Sequence, residues 1–143
     1  MANFEKAFKL VVEAEGGYVH DKDDKGGETF MGITRKNHPK LKMWEIIDKY
    51  IDMYNSTYGI NKYLKNRDDV MEEIRGVYKK QYWDKLLLDE VNYQRVANSL
   101  FDDCVNRGVS ATIKLLKAVY GFGAKSTISQ IIPIINANGR KRQ

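Results

Sequence analysis

The sequence predicts one mainly α-helical domain with a single irregular, charged excursion near its start. Its 143 residues, 43% of them hydrophobic and 30% charged, suffice for one domain with its own core and are too few for two large ones. Apolar residues recur at helical spacing along most of the chain. Between Tyr18 and Thr34 charges, glycines and short β-prone pairs replace this periodicity, which favours a loop or small β-hairpin.

The first predicted helix has Asn3 as its N-cap, an apolar stripe through Phe8 and Val11, and a stop at Gly16. Further helices are predicted over residues 43–54, about 69–82, 93–107, 111–120 and 127–135. The last of these is expected to be interrupted or kinked at Pro133. The polar, turn-rich segment 55–67 is the favoured internal boundary.

Charge and composition restrict the class of partner. Twenty-four Lys and Arg against 19 Asp and Glu give a net charge of +5, which favours nucleic acid, an anionic membrane face or an anionic cell-wall polymer. Because the sequence lacks a helix-turn-helix signature and a concentrated basic stripe, we expect no nucleic-acid partner. The longest strongly apolar run, 131–135, is too short for a transmembrane segment. The single cysteine excludes an internal disulfide, and with no signal peptide before the first helix we expect synthesis in the cytoplasm.

Glu15 is the residue that position alone singles out. It lies seven residues after Phe8 and four after Val11, so it continues the apolar stripe of the first helix. It also falls in the predicted last turn, where the helix dipole disfavours a negative charge. Both effects favour the protonated carboxyl, the form that a general acid needs. The alternative is a solvated Glu whose stem packs at a frayed helix end.

The carboxylates that follow Glu15 raise the question of a metal site. Asp21, Asp23 and Gly26 match the first, third and sixth positions of an EF-hand loop. Lys25 and Gly32 occupy the fifth and twelfth positions, where oxygen ligands are required. Two histidines and one cysteine in the whole chain give little support for zinc. We therefore predict no metal and no cofactor.

Paired carboxylates fit glycoside hydrolysis better than metal binding. That reaction needs one protonated acid at the leaving oxygen and one ionised carboxylate as nucleophile, base or charge stabiliser. On this hypothesis Glu15 is the acid, Asp21 or Asp24 is the second carboxylate, and Thr29 orients a water molecule. The spacing of these residues leaves open whether the reaction retains or inverts the sugar configuration.

Three motifs occur in order along the chain. The first is Glu15-Gly16-Gly17-Tyr18-Val19-His20-Asp21, followed by Asp24, Gly26-Gly27-Glu28-Thr29 and Gly32-Ile33-Thr34. The second is Tyr78-Lys79-Lys80-Gln81-Tyr82-Trp83, and the third is Phe101-Asp102-Asp103-Cys104-Val105-Asn106-Arg107-Gly108. Together they resemble the opening signature, the Tyr-Trp helix and the Asn-x-Gly helix end of the glycoside hydrolase family 108 N-acetylmuramidases, which include phage endolysins.

The resemblance implies a lysozyme-like α fold that cleaves the glycan strands of peptidoglycan, with Glu15 as the catalytic acid. The expected catalytic set is Glu15, Asp24, Asp21 and Thr29. The expected substrate-binding residues are Tyr18, Gly17, Gly32, Tyr82, Trp83 and Asn106. Core packing is the alternative for the aromatic residues, and a capping or solvated role is the alternative for Asn106.

The resemblance also implies an internal division of the domain, residues 1–143. A catalytic part would cover about residues 1–90 and a C-terminal helical part about 91–143, where family members carry a small peptidoglycan-binding segment. This sequence departs from the family there, with Leu115-Leu116-Lys117 in place of a Leu-Gln pair and Gly121-Phe122-Gly123-Ala124 in place of an Asp-Gly turn. The second part is thus expected to be a diverged version of that segment.

The leading hypothesis is an N-acetylmuramidase that cuts the bond between N-acetylmuramic acid and N-acetylglucosamine, as a phage endolysin or virion-associated enzyme. Its expected partners are bacterial peptidoglycan and a holin, phage tail or virion proteins, or a secretion system that brings it to the periplasmic or extracellular wall. The alternatives are a non-catalytic peptidoglycan-binding or structural virion protein, and a lytic transglycosylase that would release an anhydro sugar.

Overall fold

The computed structural model describes residues 1–23 and 27–139 and divides the chain into two compact units. Residues 12–76 form one unit, here called the β-unit. Residues 1–11 and those from 77 onward form the other, here called the helical unit. These units do not coincide with the predicted catalytic part, about 1–90, and C-terminal part, about 91–143. That functional division stays a prediction.

The charged excursion forms a three-stranded antiparallel sheet in the β-unit. Its strands, in the order β1-β2-β3, are β1 Val19–His20, β2 Glu28–Phe30 and β3 Ile33–Thr34. Phe30 pairs with Ile33, so only Met31 and Gly32 connect β2 to β3. Both connecting residues have positive φ, 50° and 80°, as in a type I′ turn, whose twist matches that of the flanking strands. The turn therefore reverses the direction of the chain with two residues.

Three helices complete the β-unit or begin in it. They are α2 Met43–Tyr54, α3 Ile60–Lys65 and α4 Asp68–Tyr78, the last of which ends in the helical unit. The bounds predicted for α2 are confirmed. The segment 55–67, predicted as a turn-rich boundary, instead contains α3 and lies inside the β-unit. The boundary prediction was wrong. The segment has few apolar residues and so shows no helical stripe in the sequence, but two of them, Ile60 and Leu64, lie one helical turn apart and are both buried, which is enough to pack a short helix.

The helical unit is built from long amphipathic helices. They are α1 Phe4–Ala14, which enters the β-unit at residue 12, α5 Gln94–Arg107, α6 Val109–Tyr120 and α7 Ile128–Gly139. Asn3 caps α1 as predicted, because its Oδ1 accepts the backbone N–H of Lys6 at 3.3 Å. The helix α7 runs through Pro133 rather than ending there, and buried Ile132 and Ile135 anchor it on either side.

The helix predicted over 69–82 ends earlier than expected. After Tyr78 the chain forms a π-helical turn, Lys79–Trp83, and then two short 3₁₀ turns. A π-helical turn is rare, and it changes the direction in which the following side chains point. The indole of Trp83 is fully buried at the end of this turn, where its Nε1 donates to Oδ1 of Asp89 at 2.8 Å.

The core of the helical unit is an aromatic cluster. Its members are Phe4, Phe8, Tyr78, Trp83 and Phe101. The ring of Phe101 lies 5.7 Å from that of Phe4 and 5.6 Å from that of Trp83, both edge-to-face. Edge-to-face pairs bring the positive edge of one ring to the negative face of another. These contacts join α1, α5 and the π-helical turn.

The predicted fold class, mainly α with a small β excursion near the N-terminus, is confirmed. Within the described part of the chain, no helix combines the length and apolar character needed to cross a bilayer.

Phe101→Ala is expected to lower the free energy of unfolding by about 3–5 kcal/mol, because it removes a buried ring and leaves a cavity. Equilibrium urea unfolding followed by circular dichroism measures the change. Val119→Ala is the matched control, since Val119 is 64% exposed on α6, and should change stability by less than about 0.5 kcal/mol. Equal losses for the two variants would contradict the aromatic core.

Candidate functional site

Glu15 lies directly after Ala14, the last residue of α1, one position beyond the predicted last turn. Its side chain is half-buried. Among the residues that the structure describes, none forms a hydrogen bond or ion pair with its carboxyl group. A half-buried carboxyl without a protein partner is available to a substrate atom, which is the requirement for a general acid.

The three residues after Glu15 are held by the rest of the β-unit. The carbonyl of Gly16 accepts the backbone N–H of Met31 at 3.1 Å, which joins this loop to the β2–β3 turn. The side chain of Asn61 accepts the backbone N–H of Tyr18 at 2.8 Å. A Cβ on Gly17 would clash with the amide group of that same Asn61 side chain, so a larger residue would displace the group that binds Tyr18. The structure thus gives Gly17 a packing role.

A chain of polar contacts continues from Tyr18 into α2. The Tyr18 hydroxyl donates to Oε2 of Glu28 at 2.6 Å, and Nη1 of Arg35 donates to Oε1 of Glu28 at 2.9 Å. Arg35 also donates to both carboxylate oxygens of Asp48, at 2.9 and 2.8 Å, a bidentate geometry. The guanidinium carbon lies 5.7 Å from the ring centre of Trp44. These contacts tie the loop after Glu15 to β2 and α2.

The same contacts shift the pKa values of Tyr18 and Asp48. Burial raises the pKa of Tyr18 well above its usual range, and the hydrogen bond to Glu28 raises it further. The hydrogen bonds from Arg35 lower the pKa of Asp48 below its ordinary value. Both shifts favour the protonation states that the hydrogen bonds require: a neutral Tyr18 donor and an ionised Asp48 acceptor.

The predicted partners of Glu15 are spread around the sheet. Asp21 is exposed just after β1, and its Oδ1 accepts the backbone N–H of Asp23 at 2.9 Å. Asp24 lies outside the described residues. Thr29 is half-buried at the centre of β2, where strand alternation places it on the face opposite Glu28. Their catalytic roles stay predictions.

Of the six predicted substrate-binding residues, Gly17, Tyr18 and Gly32 lie in the β-unit and the other three lie in the helical unit. Gly32 is the exposed second residue of the β2–β3 turn, where its φ of 80° favours glycine. Trp83 is in the aromatic core, so neither face of its indole is open to a sugar ring. Tyr82 is half-buried, with its ring 5.5 Å from that of Tyr78. Asn106 is exposed in the last turn of α5.

The sequence reasoning gave no role to the residues that hold the loop. These are Glu28, Arg35, Asp48 and Asn61. Glu28 had a detectable signal, since it stands in the first motif beside Thr29. Asn61 had none, because it lies in the segment predicted as a polar turn. In the described ranges 1–23 and 27–139, no three His, Cys, Asp or Glu side chains are grouped as a metal site would require.

The family model described as glycosyl hydrolase 108 matches residues 8–108, more than half of the chain. The chain belongs to this family. The resemblance that the three motifs indicated is therefore confirmed, and membership supports a peptidoglycan-degrading, muramidase-like glycosidase with a lysozyme-like fold.

A solved structure of Brucella abortus SagA is similar to this glycosyl hydrolase 108 member over most of its length. The two share 26% sequence identity, and the alignment covers 91% of this chain and 68% of SagA with a TM-score of 0.55. No protein with a curated functional description matches the chain.

Asp48→Asn is expected to make the stability of this glycosyl hydrolase 108 member less sensitive to acid. Because the folded-state pKa of Asp48 is lowered, its contribution is fully present above the unfolded value, about 4, and is lost as pH falls through the folded one. Asp48 is half exposed, so solvent screening limits the effect to less than about 1 kcal/mol.

Urea midpoints between pH 2.5 and 7 measure this dependence. Asp52→Asn is the matched control, because Asp52 is an exposed carboxylate one turn later on α2 without an ion-pair partner among the described residues. The prediction fails if both variants keep the acid dependence of the wild type.

Proposed function

We propose that this glycosyl hydrolase 108 member is an N-acetylmuramidase that hydrolyses the bond between N-acetylmuramic acid and N-acetylglucosamine. The observation that carries the proposal is Glu15: a half-buried carboxyl with no partner among the described residues, directly after α1, on a loop held by Met31, Asn61 and Glu28. A general acid needs this combination of fixed position and free carboxyl.

In the proposed reaction, the carboxyl of Glu15 protonates the glycosidic oxygen as the bond from that oxygen to the anomeric carbon breaks. The anomeric carbon then carries oxocarbenium-like positive charge. The carboxylate of Asp21 or Asp24 stabilises this charge or positions the attacking water, and Thr29 orients that water. Water adds to the anomeric carbon and loses a proton to a carboxylate, which gives a reducing sugar end. Proton exchange with solvent then returns Glu15 to its protonated form and the other carboxylate to its ionised form.

The polar contacts around the loop support this chemistry by limiting motion. Rotation of the Glu15 backbone would break the Met31–Gly16 hydrogen bond or the Tyr18–Asn61 hydrogen bond. Because the acid must lie within hydrogen-bond distance of the glycosidic oxygen, small displacements of the loop would lower the rate. The network therefore acts on the reaction through the position of Glu15.

The net charge of +5 favours association with the anionic bacterial wall. Within the proposal, the enzyme reaches that wall as a phage endolysin through a holin, as part of a phage tail or virion, or through a secretion system. These routes and partners stay predictions.

Glu15→Gln is expected to reduce peptidoglycan cleavage by about 10²–10⁴-fold, because an amide cannot donate the proton that the leaving oxygen needs. The test is digestion of purified Gram-negative peptidoglycan, reduction of the products and mass spectrometry of the released fragments. Glu13→Gln is the matched control: Glu13 is an exposed carboxylate two residues earlier on α1 and should be dispensable.

Reducing muropeptides that end in N-acetylmuramic acid, lost with Glu15→Gln and kept with Glu13→Gln, are the expected result. Anhydro products would instead assign the chain to the lytic transglycosylases. No cleavage by a folded wild type across several wall types would leave a non-catalytic peptidoglycan-binding or structural virion protein.

A further inference from the structure

A cleft of about 520 Å³ opens between the C-terminal part of α2 and α3 in the β-unit. Three tyrosine rings and three polar side chains are among the residues that line it. The rings are those of Tyr50, Tyr54 and Tyr63, and the polar groups are those of Lys62, Asn66 and Arg67. Because every one of these residues belongs to the β-unit, the cleft is a feature of that unit alone.

The tyrosines are held in place by contacts with one another. The ring of Tyr50 lies 4.7 Å from that of Tyr54 and 5.0 Å from that of Tyr63. The Tyr50 hydroxyl donates to the carbonyl of Tyr58, and the Tyr63 hydroxyl accepts from Nη1 of Arg67 at 2.8 Å. Fixed rings lose little conformational entropy when a ligand binds to them.

Two of these rings nevertheless remain accessible. Tyr54 is 60% exposed and Tyr63 is 40% exposed. A fixed, accessible ring offers an apolar face to the C–H groups of a sugar, while neighbouring amide and cationic groups can bind its hydroxyl, acetamido and carboxylate oxygens. The Asn66 amide and the Lys62 ammonium supply such groups at the edge of the cleft.

The charge at the cleft matches an acidic glycan. Arg67 is neutralised by Asp69, with Nη2 2.7 Å from a carboxylate oxygen. Lys62 is exposed and has no ion-pair partner among the described residues. Peptidoglycan carries free carboxylates on its stem peptides and on those lactyl groups that bear no peptide, so an unpaired ammonium beside accessible tyrosine rings suits this polymer.

The helix α3 connects the cleft to the loop after Glu15. Asn61 accepts the backbone N–H of Tyr18 and contacts Gly17, whereas the next two residues, Lys62 and Tyr63, line the cleft. One short helix therefore contacts the loop after Glu15 and contributes two residues to the lining of the tyrosine cleft.

We infer that the tyrosine cleft is an additional glycan-binding site, which holds the N-acetylated sugar strand of peptidoglycan beside the point of cleavage. The inference rests on the proposed muramidase function for the identity of the ligand. It assigns sugar stacking to the exposed ring of Tyr54 and carboxylate binding to Lys62, while Tyr63, whose ring is contacted by Tyr50 and Arg67, lines the cleft beside them.

Sedimentation with purified peptidoglycan sacculi tests this site without cleavage, in the full chain carrying Glu15→Gln. Adding Tyr54→Ala should weaken binding about fivefold, from loss of one stacking face. Adding Lys62→Gln should weaken binding at low salt but not at about 1 M salt, where a surface charge is screened. Tyr58→Ala is the control, because Tyr58 is 90% exposed and its ring lies outside the cleft. Thermal unfolding of each variant confirms that it is folded.

The outcomes separate this inference from the proposed function. Binding that falls with Tyr54→Ala and not with Tyr58→Ala supports the glycan site, even if the wild type releases no reducing ends and the muramidase proposal fails. If cleavage depends on Glu15 but binding to sacculi is unchanged by Tyr54→Ala, the glycan site is overturned and the muramidase proposal stands. Binding that falls equally for both tyrosine variants, or shifts to anionic lipid vesicles instead of sacculi, also overturns it.

Discussion

The position of Glu15 depends on how the three residues after it are held. One backbone hydrogen bond, from Met31 to Gly16, joins the end of α1 to the β2–β3 turn. The turn can make this bond because Met31 adopts a positive φ, an uncommon state for a residue with a side chain, while its side chain is fully buried. Burial of the Met31 side chain offsets the cost of this backbone conformation. The conformation, in turn, points the Met31 N–H at the carbonyl of Gly16.

The polar network beside this bond fixes the orientation of its side chains more than it adds to the free energy of folding. Its ion pairs are partly exposed and therefore contribute modestly to the free energy of folding. They are directional, however, since Arg35 donates two hydrogen bonds to Asp48 and one to Glu28, and Glu28 in turn accepts the Tyr18 hydroxyl. A helix end would otherwise fray, and a frayed end would not keep an acid at a fixed distance from a glycosidic oxygen.

Aromatic residues form a buried cluster in the helical unit, whereas the β-unit has both buried aromatic residues, such as Phe30 and Trp44, and exposed ones. In the helical unit, rings such as those of Phe4, Trp83 and Phe101 are buried against one another and supply packing. In the β-unit, Tyr54 contacts Tyr50, Tyr63 contacts both Tyr50 and Arg67, and both rings remain partly exposed. We infer that the exposed tyrosines of the β-unit contact a ligand, whereas the buried rings of both units stabilise the fold.

The sequence by itself determined the helical class, the extent of α2 and the family, because local periodicity and short motifs report on local structure. It placed the end of α1 one residue too late. It did not determine α3, since the burial of Ile60 and Leu64 depends on neighbours distant in the chain. For the same reason Asn61, Arg35 and Asp48 carried no signal. Tertiary structure alone decided that Trp83 packs inside and that Gly17 faces an amide, because both depend on contacts between residues far apart in sequence.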